Sequence, residues 1–232
     1  MGELEALLRE AELAPIEGWN FGWLDGRAVE ERPSWRYFDR VAERSVEVAS
    51  LLEVQAGVGS MIGMLPRVPQ LSVATEGFAP SLVVAGPRLR ARGVFLVPVS
   101  QTNPGLPFHD QSFELVISRH PIQPWWTEIA RVLKPGGSYL AQHVGPHSLR
   151  SLSEFFLGPL PEDSKRDPIL EREAAQKAGL SVDTLAMEQL RTAFFDLGAV
   201  VYFLRLVPWI VPDFSVTRFY DELARLHALL KT

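Results

Sequence analysis

Between Val46 and Glu76 the chain reads VEVASLLEVQAGVGSMIGMLPRVPQLSVATE, and no other stretch limits the fold as strongly. Val48 to Val54 is an apolar run of strand length, broken only by Ser50 and Glu53. The turn that follows, Gln55-Ala56-Gly57-Val58-Gly59, holds two glycines that tolerate positive φ and let a ligand approach the backbone. Met61, Ile62, Met64 and Leu65 then suit a helix, and Leu71 to Ala74 a second strand ending in Thr75-Glu76-Gly77. Strand, glycine turn, helix and strand, closed by an acid, make half of a nucleotide-binding βαβ unit. Glu76 stands roughly twenty residues beyond the turn, where such a unit places the acid that meets ribose hydroxyls. Over this stretch alone, a tight turn in an ordinary α/β protein with an exposed Glu76 reads the same way.

The spacing narrows the nucleotide. Gly57, Gly59 and Gly63 run G-x-G-x-x-x-G, one residue wider than the dinucleotide fingerprint, and no G-x-x-x-x-G-K-[ST] occurs anywhere. Two later stretches add to the pattern. One is Leu106-Pro107-Phe108-His109-Asp110-Gln111-Ser112-Phe113-Glu114-Leu115-Val116-Ile117; the other is Ile129-Ala130-Arg131-Val132-Leu133-Lys134-Pro135-Gly136-Gly137. The first predicts a buried strand at Val116-Ile117. The second predicts a short helix, Glu128 to Leu133, stopped by Pro135-Gly136-Gly137, which turn the chain into a further strand, Ser138 to Val144.

Together these residues resemble the class I S-adenosylmethionine-dependent methyltransferases, and within them the type 11 group. Glu53 matches the acid that opens their motif I, and Gly57 and Gly59 match the last two glycines of its G-x-G-x-G. Gln55 stands where the first glycine is expected. The resemblance therefore implies either a displaced loop in which Gln55 contacts the cofactor, which is the expectation here, or weakened binding. It further implies that Glu53 orders the turn and that Glu76, with Gly77 beside it, holds the ribose. Ser100 and Gln101 occupy the adenine position that the family gives to a carboxylate, and Gln101 can accept through its amide oxygen. Arg119, at the end of the fourth strand, completes the expected cofactor-binding set.

The fold class expected is α/β, a Rossmann-like three-layer sandwich with a mostly parallel sheet, lacking the family's usual last strand. Helical N-terminal and C-terminal cap elements are added to it. That division gives residues 1–44 as a helical lid, 45–145 as the S-adenosylmethionine-binding core, and 146–232 as a substrate-facing cap completing the same domain. A sheet short by one strand implies an exposed edge able to pair with another chain, hence a possible homodimer.

Amphipathic spacing predicts helices over Glu3–Leu13, Ser34–Arg44 and Ser215–Leu230. Pro80 to Arg92 is a weak helix pattern, its propensity lowered by Gly86 and Pro87, and Val94 to Val99, with Pro98 inside it, suits an edge or bulged strand. Leu149–Phe156 is a further helix. Asp167 and Asp196 are placed to cap helices starting at Ile169 and Leu197, while Ser181 to Phe195 reads as strand material. Trp19, Phe21, Trp23 and Trp35 fit lid aromatics or packing residues equally in type, with packing favoured for each singly. Tyr202, Phe203 and Leu206 are available to line a cavity.

Functional candidates on the acceptor side are His120, after the fourth strand, and His143, after the fifth. Either can take a proton from a hydroxyl, amine or carboxyl nucleophile, or serve as a substrate ligand. His143 and His147 are four apart, but Gly145-Pro146 prevent the helix that would align them on a metal, so no metal is expected. The absence of cysteine excludes thiolate chemistry and disulfides. A net charge of −5 argues against a broad nucleic-acid footprint, although Arg88, Arg90 and Arg92 form a local basic group. The acidic, amphipathic start is unlike a secretory signal. The longest apolar run, Leu197 to Val211, contains Arg205 and Pro208 and is too short for a bilayer; a cytoplasmic protein is expected. The sequence thus points to methyl transfer from S-adenosylmethionine to a small-molecule acceptor. The alternatives are an RNA base methyltransferase and a cofactor-binding homologue with weakened or lost catalysis.

Overall fold

The computed structural model describes residues 2–16, 19–100, 103, 105–162 and 164–231. In chain order the first elements are α1 (Glu3–Leu13), β1 (Ala28–Glu30), α2 (Tyr37–Ser45), β2 (Ser50–Glu53), α3 (Ser60–Met64) and β3 (Leu71–Glu76). Then come α4 (Ala79–Arg90), β4 (Phe95–Pro98), β5 (Phe113–Arg119), α5 (Trp126–Val132) and β6 (Leu133–Gln142). The chain finishes with α6 (Arg150–Leu157), α7 (Pro168–Lys177), β7 (Thr192–Phe194), α8 (Leu197–Leu206) and α9 (Tyr220–Leu229). They form two compact units.

The larger unit comprises residues 33–146 and 165–188. Its sheet has the order β4-β3-β2-β5-β6, with every neighbouring pair parallel. Because side chains alternate across a strand, Leu51, Leu115 and Ile117 face one side while Leu52 and Val116 face the other. The first face is covered by Tyr37 and Val41 of α2, Met61 and Ile62 of α3, and Ala85 and Leu89 of α4. The second is covered by Ile129 and Val132 of α5 with Leu106 and Trp125. Helices on both faces of a parallel sheet are the Rossmann-like three-layer arrangement. Among the described residues the sheet stops at β6, so it is five strands long and lacks more than the one expected. β4, with Pro98 at its end, is the other edge.

The weak helix expected over residues 80–92 forms, and one expectation in this unit changes. α4 runs through Gly86 and Pro87, because burying Ser81, Ala85 and Leu89 on the sheet outweighs the lost amide donor of the proline. Residues 181–191 form no strand. Most of that run is exposed, with Met187 at 67%.

The smaller unit gathers residues 1–32, 147–164 and 189–232. This unit holds α1, α6, α8 and α9. Asp196 caps α8 through Ala199 N–H, as Asp167 caps α7 through Ile169 N–H. The strand expected near residue 195 shrinks to β7, which pairs antiparallel with β1 and not with the main sheet. α9 starts at Tyr220 instead of Ser215, the preceding residues forming turns. Tyr202 and Leu206 are not cavity-lining; both are buried, and the Tyr202 hydroxyl donates to the Pro15 and Asn20 carbonyls at 3.2 Å. Trp23 stacks on Tyr202 at 4.6 Å, Phe21 lies against Phe203 and Trp19 against Trp209. These aromatics pack their own unit.

Candidate functional site

The carboxyl ends of β2, β3, β5 and β6 bring most of the candidate residues to one crest of the sheet. At its centre the backbone alternates. Gln55, Gly57 and Gly59 have φ of 58°, 58° and 68°, all in the left-handed region. The turn therefore keeps the conformation of a three-glycine motif although its first residue carries a side chain. That side chain has other partners: Gln55 Oε1 accepts from Ile122 N–H at 2.7 Å and Nε2 donates to the Gln123 carbonyl at 2.8 Å. Gln55 is a strap between the turn and the segment after β5.

Gly59 is required by packing as well as by φ. A Cβ at this position would lie 2.9 Å from Leu89, which is fully buried and cannot move aside. Gly59→Ala is expected to lose about 1–3 kcal/mol, read as a lower urea midpoint at unchanged slope.

Glu53 ends β2 at 2% exposure, and its Oε2 accepts from Ile62 N–H, at the start of the helix after the turn, at 3.2 Å. Burial, offset in part by that hydrogen bond and reinforced by the nearby Glu76 carboxylate, pushes its pKa up to about 8. Glu76 is also buried, and its carboxylate faces back into the turn. Oε2 accepts from Gly57 N–H at 2.6 Å, and Oε1 from Gly77 and Phe78 N–H at 2.7 Å each. Of about four lone-pair sites on a carboxylate, three are engaged.

Around this centre, Ser100 Oγ accepts from Asn103 N–H at 3.1 Å, and Gln101 lies outside the described residues. Arg119 ends β5 with its side chain exposed. His120 follows it at φ 53°, its N–H donating to the Gln142 carbonyl at 2.7 Å. Its ring touches solvent, yet desolvation by the atoms around it and the Arg119 guanidinium push its pKa down to about 4. At neutral pH it is an uncharged imidazole and a weak base. His143 sits just beyond β6, its Nδ1 2.5 Å from Glu171 Oε2 of α7 and its Nε2 3.4 Å from the Tyr139 hydroxyl.

Three participants escaped the sequence reading. Tyr139 shares a strand face with His143 by the period of two, a signal that was present. Glu171 left no signal, because its pairing joins positions 28 residues apart. Tyr37 donates to the Ser118 and Leu140 carbonyls at 2.9 and 3.0 Å, locking the ends of β5 and β6 from beneath.

A family model described as a methyltransferase domain, type 11, matches residues 52–141. This segment is a type 11 methyltransferase domain. The match spans the glycine turn, Glu76 and both later signatures. The structure gives the signatures a mechanical role: Arg131 reaches the Leu106 and Phe108 carbonyls, Asp110 and Glu128, fastening the loop before β5 to α5. A search of curated proteins found no match. Among solved structures the chain is similar to a putative sarcosine dimethylglycine methyltransferase from Galdieria sulphuraria, at 18% identity, TM-score 0.49, covering 85% of this chain and 80% of that one. It is also similar to the putative methyltransferase in a complex with the Trm112 activator of Haloferax volcanii, at 19% identity, TM-score 0.49 and 79% of each chain. YcgJ of Bacillus subtilis matches at 22% identity and TM-score 0.42 over 59% of this chain, and the chain spans 57% of that protein's length.

The cofactor that the methyltransferase family implies is S-adenosylmethionine. The donors and acceptors at the crest suit a nucleoside: a glycine turn with left-handed backbone and, across from it, a carboxylate with one lone-pair site still open. As the carboxylate stands, one ribose hydroxyl can donate to it. A second has to displace a backbone N–H.

No helix among the described residues is long and apolar enough to cross a membrane.

Proposed function

We propose that the chain is an S-adenosylmethionine-dependent methyltransferase acting on a small-molecule acceptor. The observation that carries this is the crest itself: left-handed φ at residues 55, 57 and 59, buried Glu53 beneath the turn and Glu76 across from it. In this reading Gly57 and Gly59 give the cofactor close access to the backbone, Glu76 and Gly77 meet its ribose, and Arg119 and Ser100 flank it. Glu53 holds the turn without touching the ligand. The bound group supplies an activated methyl on a sulfonium, so the protein's task is placement of the nucleophile and exclusion of water. The basic group that an RNA substrate would need is partly committed elsewhere: Arg88 donates to Ser60 Oγ and the Val58 carbonyl, and Arg92 to the Leu65 carbonyl. That favours the small acceptor.

Calorimetric titration with S-adenosylmethionine tests the reading, with saturable binding below millimolar concentration expected. The engaged state of Glu76 favours, as a second reading, a homologue with weakened or lost catalysis. Absence of binding at millimolar cofactor selects it.

Gln55→Gly separates the strap from the turn conformation. It removes two hydrogen bonds of about 0.5–1.5 kcal/mol each and relieves a left-handed residue by about 1–2 kcal/mol. Stability is expected to stay within about 1 kcal/mol while the Ile122 amide, now without its acceptor, exchanges faster with deuterium by at least tenfold.

A further inference from the structure

Beside the turn, on the strand face shared by Ser118 and Tyr139, four polar side chains form a line that the cofactor reading leaves unused. Glu171 Oε2 meets His143 Nδ1 at 2.5 Å, His143 Nε2 lies 3.4 Å from the Tyr139 hydroxyl, and that hydroxyl bonds Ser118 Oγ. Ser118 is 1% exposed. Burial pushes the Tyr139 phenol well above its usual range, so it stays a neutral hydroxyl. These constraints give the line a direction. A carboxylate on Nδ1 selects the tautomer with its proton there and leaves the lone pair on Nε2. Tyr139 then donates to Nε2 and accepts from Ser118.

The bond at Nε2 is the weak one. At 3.4 Å it is at the long limit for a hydrogen bond, whereas Nδ1 is held tightly. A line built only to fasten α7 to β6 has no use for an Nε2 lone pair held so loosely, by one long contact with Tyr139, at the crest of the sheet. Trp126 walls the same spot, its ring edge-on to Tyr139 at 5.8 Å and tilted against His143 at 6.0 Å. The side chain of His143 keeps 17% exposure and that of Glu171 20%, so the place is reachable.

We infer that His143 takes the proton released by the methyl acceptor, that Glu171 is the residue positioning it, and that the acceptor is therefore a protic hydroxyl or amine lying against Trp126. This rests on the methyltransferase reading above. In the step, the lone pair of the acceptor's oxygen or nitrogen forms the new bond to the methyl carbon. The carbon–sulfur bond breaks with its pair kept by sulfur, and the acceptor's proton passes to Nε2. The imidazolium so formed is held between Glu171 and the neutral Tyr139. Beyond Glu171 and Tyr139, His120 also lies close enough to act on His143 electrostatically, itself near Arg119 and Arg166. Carbon acceptors and tertiary amines, which release no proton from the attacking atom in this way, do not need the dyad.

The first measurement needs no acceptor. With ¹⁵N-labelled histidine, long-range ¹H–¹⁵N correlation at pH 7.5 reads the tautomer of each ring, His143 being assigned by its loss in His143→Gln. The expected spectrum has Nδ1 protonated and Nε2 bare. In Glu171→Ala the preference disappears, and in Glu171→Gln, whose carbonyl still accepts from Nδ1–H, it remains. An Nε2–H tautomer in the parent chain, or no change in Glu171→Ala, overturns the proposal.

The second measurement follows transfer from S-adenosylmethionine with a tritiated methyl to a low-molecular-weight cell extract, with calorimetry of the cofactor alongside. His143→Gln is expected to lower transfer 100-fold or more, and Glu171→Gln at least tenfold, with the cofactor dissociation constant within twofold of the parent. Transfer unchanged in Glu171→Gln means Glu171 is only a fastening, and overturns the inference. A parent chain that binds cofactor but transfers nothing also overturns it. A parent chain that does not bind cofactor overturns the underlying reading instead.

Discussion

Replacing Glu53 with glutamine flattens the dependence of stability on pH and makes the chain more stable than its parent at pH 8 and above. The Glu53 carboxyl is enclosed, and folding raises its pKa from 4.5 to about 8. Between those values the folded chain holds a proton that the unfolded chain has released. Stability is then fully present below pH 4.5, falls as pH rises through the window, and levels off above about 8 where both states are ionised. The slope reaches about 1.4 kcal/mol per pH unit for one such group. Glutamine retains an oxygen for Ile62 N–H and carries no proton to lose. Urea midpoints of both chains at pH 5, 6.5, 8 and 9 check this: they should diverge steadily up to pH 8. Parallel profiles would mean that Glu53 titrates as an ordinary carboxylate.

The larger expected effect on function comes from Glu76→Ala. Its carboxylate accepts from three backbone donors, at Gly57, Gly77 and Phe78, so truncation leaves all three unpaired at a part-buried site. A single orphaned donor costs about 1–3 kcal/mol when water cannot replace the acceptor. Solvent reaches part of this site, so a total loss of about 2–4 kcal/mol is expected in denaturant unfolding. Loss of a charged acceptor for the ribose adds about 1–3 kcal/mol in cofactor affinity, a rise of roughly 5-fold to 150-fold in the dissociation constant. Glu76→Gln, with one carbonyl oxygen left, should fall between parent and alanine in both measurements. An unchanged cofactor dissociation constant in a folded Glu76→Ala chain removes Glu76 from the site.

What could be read from the letters was whatever local pattern controls. The strand, turn, helix and strand around Gly57 are contiguous, and the period of two in Leu51–Leu52 and Leu115–Ile117 assigns side chains to opposite faces without any knowledge of neighbours. Asp167 and Asp196 announce their helices because a cap acts over three residues. Long-range partnership was the missing information. Gln55 looked like a departure from a glycine motif, whereas its amide serves a segment 67 residues later. Asp110 and Arg131 belonged to a recognisable signature, but their joint task, tying the loop at Leu106 and Phe108 to α5, is a matter of three-dimensional reach. The run from Ser181 had strand-like composition, but only its end, Thr192–Phe194, pairs, and a strand exists only as one half of a ladder. Pro87 weakened the local pattern of α4, and tertiary burial outweighs that penalty.

The amide of Gln55 has a mechanical consequence. One side chain joins the glycine turn to Ile122 and Gln123, just ahead of Trp125 and Trp126. Any ligand that shifts the loop must drag that neighbouring stretch with it or break both bonds at once. In the function proposed above, a shift of the turn on cofactor binding would thus be felt at Ile122 and Gln123 through these two hydrogen bonds.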